Sequence, residues 1–276
     1  MIKIFLTVRN RLAMTIKCIE AIQRHTTKPY QLYVYNNQTN YRVDEHFNYF
    51  SKLYTKGLIT QVTFNTDIST FNAFSKATTC NMFGLQHLQD PKKSECEFII
   101  MLDNDIILTP DWDVIVSRAW KYINKNKLKH IKIVGQLPGG IKGRSETHKI
   151  GDNLIGRCGT LGGSGLWTVR NNFFTDVGLL DLNQLVGHNK KHDQFYWQRL
   201  QKASGTRHYI MGLNQKLGIH CGKLCGSVCN TLTRQKNKKV ALERIKFKES
   251  DNNIRSMDFN TFYEKIKENK RLNADW

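Results

Sequence analysis

The stretch EFIIMLDNDIILTPDWD, Glu97 to Asp113, constrains the fold of this chain more than any other. Its apolar run from Phe98 to Leu102 is continuous rather than alternating, which expects a strand covered on both faces, as in a parallel sheet flanked by helices. The run ends in Asp103-Asn104-Asp105, and a second apolar run, Ile106 to Leu108, follows at once. In open α/β sheets ligands bind beyond the carboxyl ends of the strands. A strand of this kind would hold its carboxylates at the mouth of a pocket. An Asp-x-Asp pair can bring two carboxylates to one divalent ion, and oxygen ligands with room for phosphate suit Mn²⁺ or Mg²⁺. A second copy, Asp111-Trp112-Asp113, follows Pro110. It reads instead as a helix start, with Asp111 near the N-terminus.

The surrounding segments support an α/β sandwich. IKIFLTV (2–8) expects a strand, and Leu12, Ile16, Ile19 and Ile22 recur at helical spacing across 10–26. YQLYVYNN (30–37) and GLITQVTFN (57–65) expect two more strands, and 69–89 a helix. Strand, helix, strand implies a parallel pair. Further on, 130–138 expects a strand, and 158–181 a Gly-rich turn, a strand and a short helix. A helix over 192–204 would be closed by Gly205, and 208–222 reads as one irregular strand ending at His220. The fold class expected is a mixed, mostly parallel Rossmann-like sheet flanked by helices. Residues 1–230 form the main domain, with 1–110 as nucleotide-binding half and 111–230 as acceptor half. Residues 231–276 form a basic C-terminal extension with a helix near FNTFYEKIKENK.

Composition narrows the class. Apolar residues make up 40% of the 276, enough for a core and against wholesale disorder. No apolar run approaches the length of a membrane span, and the opening MIKIFLTVRN is too quickly polar for a signal peptide. With seven scattered cysteines, this expects a reducing, cytoplasmic setting, the host's cytoplasm if the chain is viral. Cys221, Cys225 and Cys229 follow His220 at steps of four, which is not a standard zinc spacing, so packing near a strand end is favoured over a metal site. Lys and Arg number 42 against 23 acids, a net +19. Between Val114 and Ser145 stand Arg118, Lys121, Lys125, Lys127, Lys129, Lys132, Lys142 and Arg144, with no acid. Such an excess favours polyanions.

The order of these motifs resembles that of the GT-A-fold glycosyltransferases, nearest to the family-2-like group, over roughly residues 2–222. The opening strand, helix and second strand, FIIMLDNDIILTPDWD, GGSGLWTVRNNFFTDVGLLD, HDQFYWQRLQKASG and LGIHCG stand in the family's order. The resemblance implies a nucleotide-sugar donor, a UDP-sugar first, and a Mn²⁺ or Mg²⁺ ion. Asp105 would be the main metal ligand, Asp103 would contact metal or ribose, and His220 would complete the metal site. Asp193 would be the general base on the acceptor hydroxyl, giving inversion. Thr7, Arg9, Asn36 and Asn37 would meet the nucleotide, the Asn pair standing where the family usually has an Asp. Gly162, Gly163 and Ser164 would turn tightly under the donor sugar. Asn104, His192 and Trp167 join the donor or acceptor contacts, although a Trp in an apolar strand is more often core.

The resemblance leaves the acceptor open. The charge favours a hydroxymethylated base in DNA, as in viral DNA modification, which would have to be flipped out of the duplex. The alternatives are a peripheral enzyme on lipid-linked or cell-wall glycan, and a nucleic-acid-binding module without catalysis.

Overall fold

The computed structural model describes residues 1–37, 39, 41–65, 72–136, 146–159, 165–179, 199–206, 208–221 and 250–269, with the backbone alone at 72–78. The first half runs β1 (Ile2–Val8), α1 (Leu12–His25), β2 (Tyr30–Asn37), α2 (Val43–Thr55), β3 (Gln61–Asn65), α3 (Asn72–Gln89), β4 (Phe98–Asp103) and β5 (Ile106–Leu108). Then come α4 (Trp112–Lys125), β6 (Ile133–Gln136), β7 (Thr147–Lys149), β8 (Ile155–Gly159), β9 (Leu166–Arg170), α5 (Phe173–Asp176), β10 (Ile210–Leu213), β11 (Gly218–His220) and α6 (Phe259–Glu268).

Nine strands form one sheet in the order β3-β2-β1-β4-β9-β6-β10-β8-β7, and β11 pairs with β5 in a small second sheet. Strands β3, β2, β1 and β4 are mutually parallel. β9 runs antiparallel between β4 and β6, and β10 lies parallel to β6. The sheet is therefore mixed and mostly parallel, as the continuous apolar strands imply. Alternation along β1 divides the core. Ile2, Ile4, Leu6 and Val8 join the cluster that contains α1, α4 and α6, while Phe5 points the other way and stacks on Phe83 of α3 at 4.5 Å. All five residues from Phe98 to Leu102 are buried.

Several boundaries differ from the sequence expectations. The third strand begins at Gln61 rather than Gly57. Gly57 has φ +68°, and its amide with that of Leu58 closes the end of α2 on Tyr54 and Leu53. Helix α2 itself has no counterpart among the expectations. It buries His46 and Phe50, packs Tyr49 and Leu53 against the core at partial exposure, and leaves Phe47 and Tyr54 exposed. Residues 208–222 form two strands rather than one. The Asn214 side chain accepts from Ile155 N, and the Gln136 side chain accepts from Leu217 N and Gly218 N, so the chain leaves the large sheet after Leu213. Gly205, at φ +69°, does close the helical residues 199–204.

The C-terminal residues 250–269 pack into the α1 side of the core. Ile254, Phe259, Phe262 and Ile266 are buried there, and His25 at the end of α1 meets Phe259 and Tyr263 edge-on. Each fully buried side chain of this kind contributes roughly 1.5–3 kcal/mol. No described helix is long and apolar enough to cross a membrane.

Candidate active site

Strand register assembles the mouth. In β1, Thr7 lies opposite Tyr35 of β2 on one side and Asp103 of β4 on the other, and Val8 lies opposite Asn36. Three adjacent parallel strands thus deliver Thr7, Asn36, Asn37 and Asp103 to one end of the sheet. The turn after β4 is fixed by its backbone: Asp103 N donates to Gly165 O at 2.9 Å, and Asn104 N to Thr7 O at 3.1 Å. The chain then doubles back as β5, and β11 pairs with it so that His220 faces Ile106. Cys221 N donates to Asp105 O at 2.7 Å, locking His220 beside the aspartate. Only glycine suits position 218, because a Cβ there would lie 2.7 Å from Ile106 and 3.3 Å from the Ile107 carbonyl.

Asp105 is the electrostatic centre. It is 6% exposed. Its Oδ2 accepts from Arg11 and lies 3.4 Å from His220 Nε2. Its Oδ1 is buried with no hydrogen-bond partner among the described residues. Burial pushes the carboxyl pKa up, but the bond from His220 and the charge of Arg11 outweigh it and hold it below the usual range. The group is an ionised carboxylate in a nearly dry place. Behind it, Cys18 is pushed well above an ordinary thiol by burial first, then by the charges of Asp105 and Asp103.

Arg11 was not among the residues expected from sequence. It stands two places after Arg9, in a loop where Asn10 and Arg11 take φ +52° and +55° in succession. Left-handed backbone costs a non-glycine residue roughly 1–2 kcal/mol. The loop is held by Asn10 Oδ1, which accepts from Tyr41 N, and by the buried Asp251, whose Oδ1 accepts from Ala13 N at 3.2 Å. Asp251 caps α1 in place of Arg11, which makes no side-chain cap. Two arginines flanking an Asn, the residue most tolerant of left-handed backbone, were the available signal.

The other expected residues divide. Thr7, Arg9 and Asp103 stand half-buried at the mouth. Asn36 and Asn37 reach the strand ends, but Asn36 Oδ1 is taken by the Thr39 hydroxyl, and Asn37 Oδ1 by Asn65 Nδ2 at 3.0 Å. Asn104, expected as a donor or acceptor contact, makes internal bonds in this structure. Its Nδ2 donates to Asn10 O and Thr15 Oγ1, both buried contacts, so it pins the turn to α1. Trp167, named among the donor or acceptor contacts with core as the commoner place for such a Trp, packs in the core. It pairs with Met101, below the mouth, and packs on Phe173 with 3% exposure. Gly162, Gly163, Ser164, His192 and Asp193 lie outside the described residues, as do Cys225 and Cys229.

Asp113 of the second Asp-x-Asp sits elsewhere. Its Oδ2 accepts from Thr27 N, Thr27 Oγ1 and Lys28 N at 2.8–3.0 Å. Those residues lead into β2, so α4 starts at the opposite end of the sheet from Asp105. Arg118, Lys121, Lys125, Lys127 and Lys129 are exposed on and after α4.

The mouth fits a divalent cation. It offers an ionised carboxylate with an orphaned oxygen, a neighbouring imidazole nitrogen and a second carboxylate, and the Arg11 guanidinium stands where positive charge is wanted. Oxygen-rich sets with one imidazole suit Mn²⁺ and Mg²⁺.

Neither a family model nor a curated protein matches the sequence. Among solved structures, the chain is similar to S. aureus TarS 1–349 in complex with UDP (TM-score 0.50, 14% identity, 98% of this chain and 76% of that one). It is similar to GalNAc-T7 with UDP, GalNAc and Mn²⁺ (TM-score 0.52, 13% identity, 77% of this chain and 41% of that one). It is also similar to the mannosyltransferase PcManGT from Pyrobaculum calidifontis in complex with GDP-Man and Mn²⁺ (TM-score 0.51, 9% identity, 90% of this chain and 68% of that one). At such identities the likeness is one of fold, and this chain has the GT-A fold that its sequence motifs implied.

Proposed function

We propose that this chain is a metal-dependent, inverting glycosyltransferase that moves a sugar from a nucleotide-sugar donor, a UDP-sugar first, to a hydroxyl acceptor. The observation that carries the reading is Asp105. It is an ionised, buried carboxylate with one unpartnered oxygen, set at the C-terminal end of the sheet and faced by Arg11 and His220. The fold neighbours add support, since two of them hold UDP, one holds GDP-Man and two hold Mn²⁺.

In this reading Asp103, Asp105 and His220 hold Mn²⁺ or Mg²⁺, which when bound neutralises charge on the leaving diphosphate. Thr7, Arg9, Asn36 and Asn37 line the nucleotide end, and Asp103 also meets the ribose. Arg11 keeps Asp105 ionised in the donor-free protein and offers its guanidinium to the diphosphate on donor binding. Asp193 takes the proton from the acceptor hydroxyl as it attacks from the face opposite the diphosphate, which inverts the anomeric centre. Gly162, Gly163 and Ser164 pass under the donor sugar, and His192 meets the acceptor.

For the acceptor we favour a hydroxymethylated base in DNA, on the net charge of +19. The exposed cations on and after α4, a helix that starts beside Thr27 and Lys28, are read as phosphate contacts.

The test combines Mn²⁺, a panel of nucleotide sugars, and hydroxymethylated or plain DNA. Free nucleotide and the mass of digested nucleosides are the readouts. Added hexose mass on hydroxymethylated DNA alone, lost in Asp105→Asn and Asp193→Asn, is the expected result. Nucleotide release without mass on DNA would remove the DNA acceptor and point to glycan or lipid-linked glycan. No release from any donor would sink the catalytic reading.

A further inference from the structure

A second cluster of metal-binding side chains lies at the far end of the sheet. His130 stands just before β6, Glu146 just before β7, and Cys158 near the end of β8. One ligand atom from each lies within 4.8 Å of the other two. The strand pattern brings them together: Cys158 N donates to Glu146 O at 2.9 Å, Cys158 lies opposite Met211 of β10, and the chain after His130 is tied to Tyr209 through the Lys132 and Ile133 amides. A fourth group sits beside them. His148 Nε2 is 3.5 Å from Glu146 Oε2, yet it is buried and lacks hydrogen-bond geometry to any described residue. Its Nδ1 is 3.4 Å from Tyr122 Oη, which would orient the ring as an outer partner does in metal sites.

We propose that His130, Glu146, His148 and Cys158 form a zinc site, independent of the carboxylate mouth, that clips the β7–β8 hairpin to the start of β6. The donor set is one thiolate, two imidazoles and one carboxylate, which suits tetrahedral Zn²⁺. Ligands sharing one zinc lie about 3.5 Å apart, so the His130, Glu146 and Cys158 atoms, within 4.8 Å of one another, must draw in, and His148 must turn from its place beside Glu146 to join them. Cys158 is buried and free, and the exposed Glu146 leaves a path for the ion from solvent. The site is structural: it would cross-link segments 28 residues apart in sequence, from 130 to 158, and constrain the unfolded chain as a staple does.

Cobalt is the probe, because a thiolate-to-cobalt charge-transfer band reports a cysteine ligand and carboxylate sites give none. The full chain carrying Asp105→Asn, stripped with chelator, is titrated with Co²⁺. One equivalent with a charge-transfer band is expected, with Zn²⁺ displacing it. The band should vanish in Cys158→Ser, and Co²⁺ should bind at least tenfold more weakly in Glu146→Gln, a change at an exposed position that leaves the fold intact. No band with Asp105→Asn, or an unchanged band in Cys158→Ser, overturns the proposal. So does unchanged affinity in Glu146→Gln, which decides the matter even where Cys158→Ser does not fold.

Discussion

The two Asp-x-Asp segments lie within eleven residues of each other, Asp103 to Asp113, and do opposite things with a buried carboxylate. Asp113 is 0% exposed, and its Oδ2 is filled by two backbone amides and a hydroxyl. Those donors belong to the chain just before β2 and cannot leave without unravelling it, so Asp113 holds α4 to the sheet. Asp105 is nearly as buried, but its described partners are the side chains of Arg11 and His220. The Arg11 side chain can swing away and leave its place to a dication that His220 would share. What separates a structural carboxylate from a functional one is the mobility of its partners, not its burial.

The same substitution at both sites should therefore give opposite results. Asp105→Asn keeps shape and removes charge, and we expect at least about a 10³-fold loss of donor turnover, about 4 kcal/mol of barrier. Steady-state rates with Mn²⁺ would show it, and a loss under tenfold would take Asp105 out of the metal site. The next largest effect clears the ground for comparing the two carboxylates by pH. His46 is buried in α2 with neither ring nitrogen hydrogen-bonded among the described residues, and burial holds its pKa at about 4 against 6.5. Because the folded value is the lower, the unfolded chain takes up the proton first. Stability from this group is complete above pH 6.5 and is lost as pH falls to 4, by about 3 kcal/mol. The slope of the denaturant midpoint over that window should be much reduced in His46→Leu, the remainder coming from His87 and His130, whose pKa values burial also lowers. Asp105, with a lowered folded pKa, contributes stability that falls away only as pH drops beneath the usual Asp range. An undiminished slope between pH 6.5 and 4 in His46→Leu would refute the assignment.

Asp113→Asn should lower stability by about 2 kcal/mol, because charge-assisted bonds to Thr27 and Lys28 become neutral ones. Turnover per folded molecule should be unchanged, and a fall in kcat would blur the contrast with Asp105. Smallest is Arg11→Gly. Relief of the backbone at φ +55° offsets the lost ion pair to within about 1 kcal/mol. Mn²⁺ should bind the donor-free protein roughly fivefold tighter once the competing cation is gone, about 1 kcal/mol. Calorimetric titration measures it, and weaker Mn²⁺ binding would mean that Arg11 supports the site rather than competes for it.

Much of the architecture was legible in local pattern. β1, α1, β2 and β4 follow from apolar runs whose period is set by neighbours in the chain. Gly205 follows from the left-handed cap that a helix end favours. Helix α2 escaped because its apolar residues divide between the core (Tyr49, Phe50 and Leu53) and solvent (Val43, Phe47 and Tyr54), which blurs its period. Asn104 and Trp167 show what residue type leaves open. Residue type suggests a contact, but orientation is decided by a partner strand or helix far away in sequence.

By itself, then, the sequence determined that two carboxylates would end a strand buried on both faces, because continuous apolarity is a local property and needs no partner to be read. Only the tertiary structure decided which Asp-x-Asp faces a replaceable cation. The register of β11 on β5 carries His220 to Asp105, and the left-handed turn after β1 carries Arg11 there across 94 residues. A partner at that distance is chosen by how strands pair and helices pack, and no window of the sequence contains it.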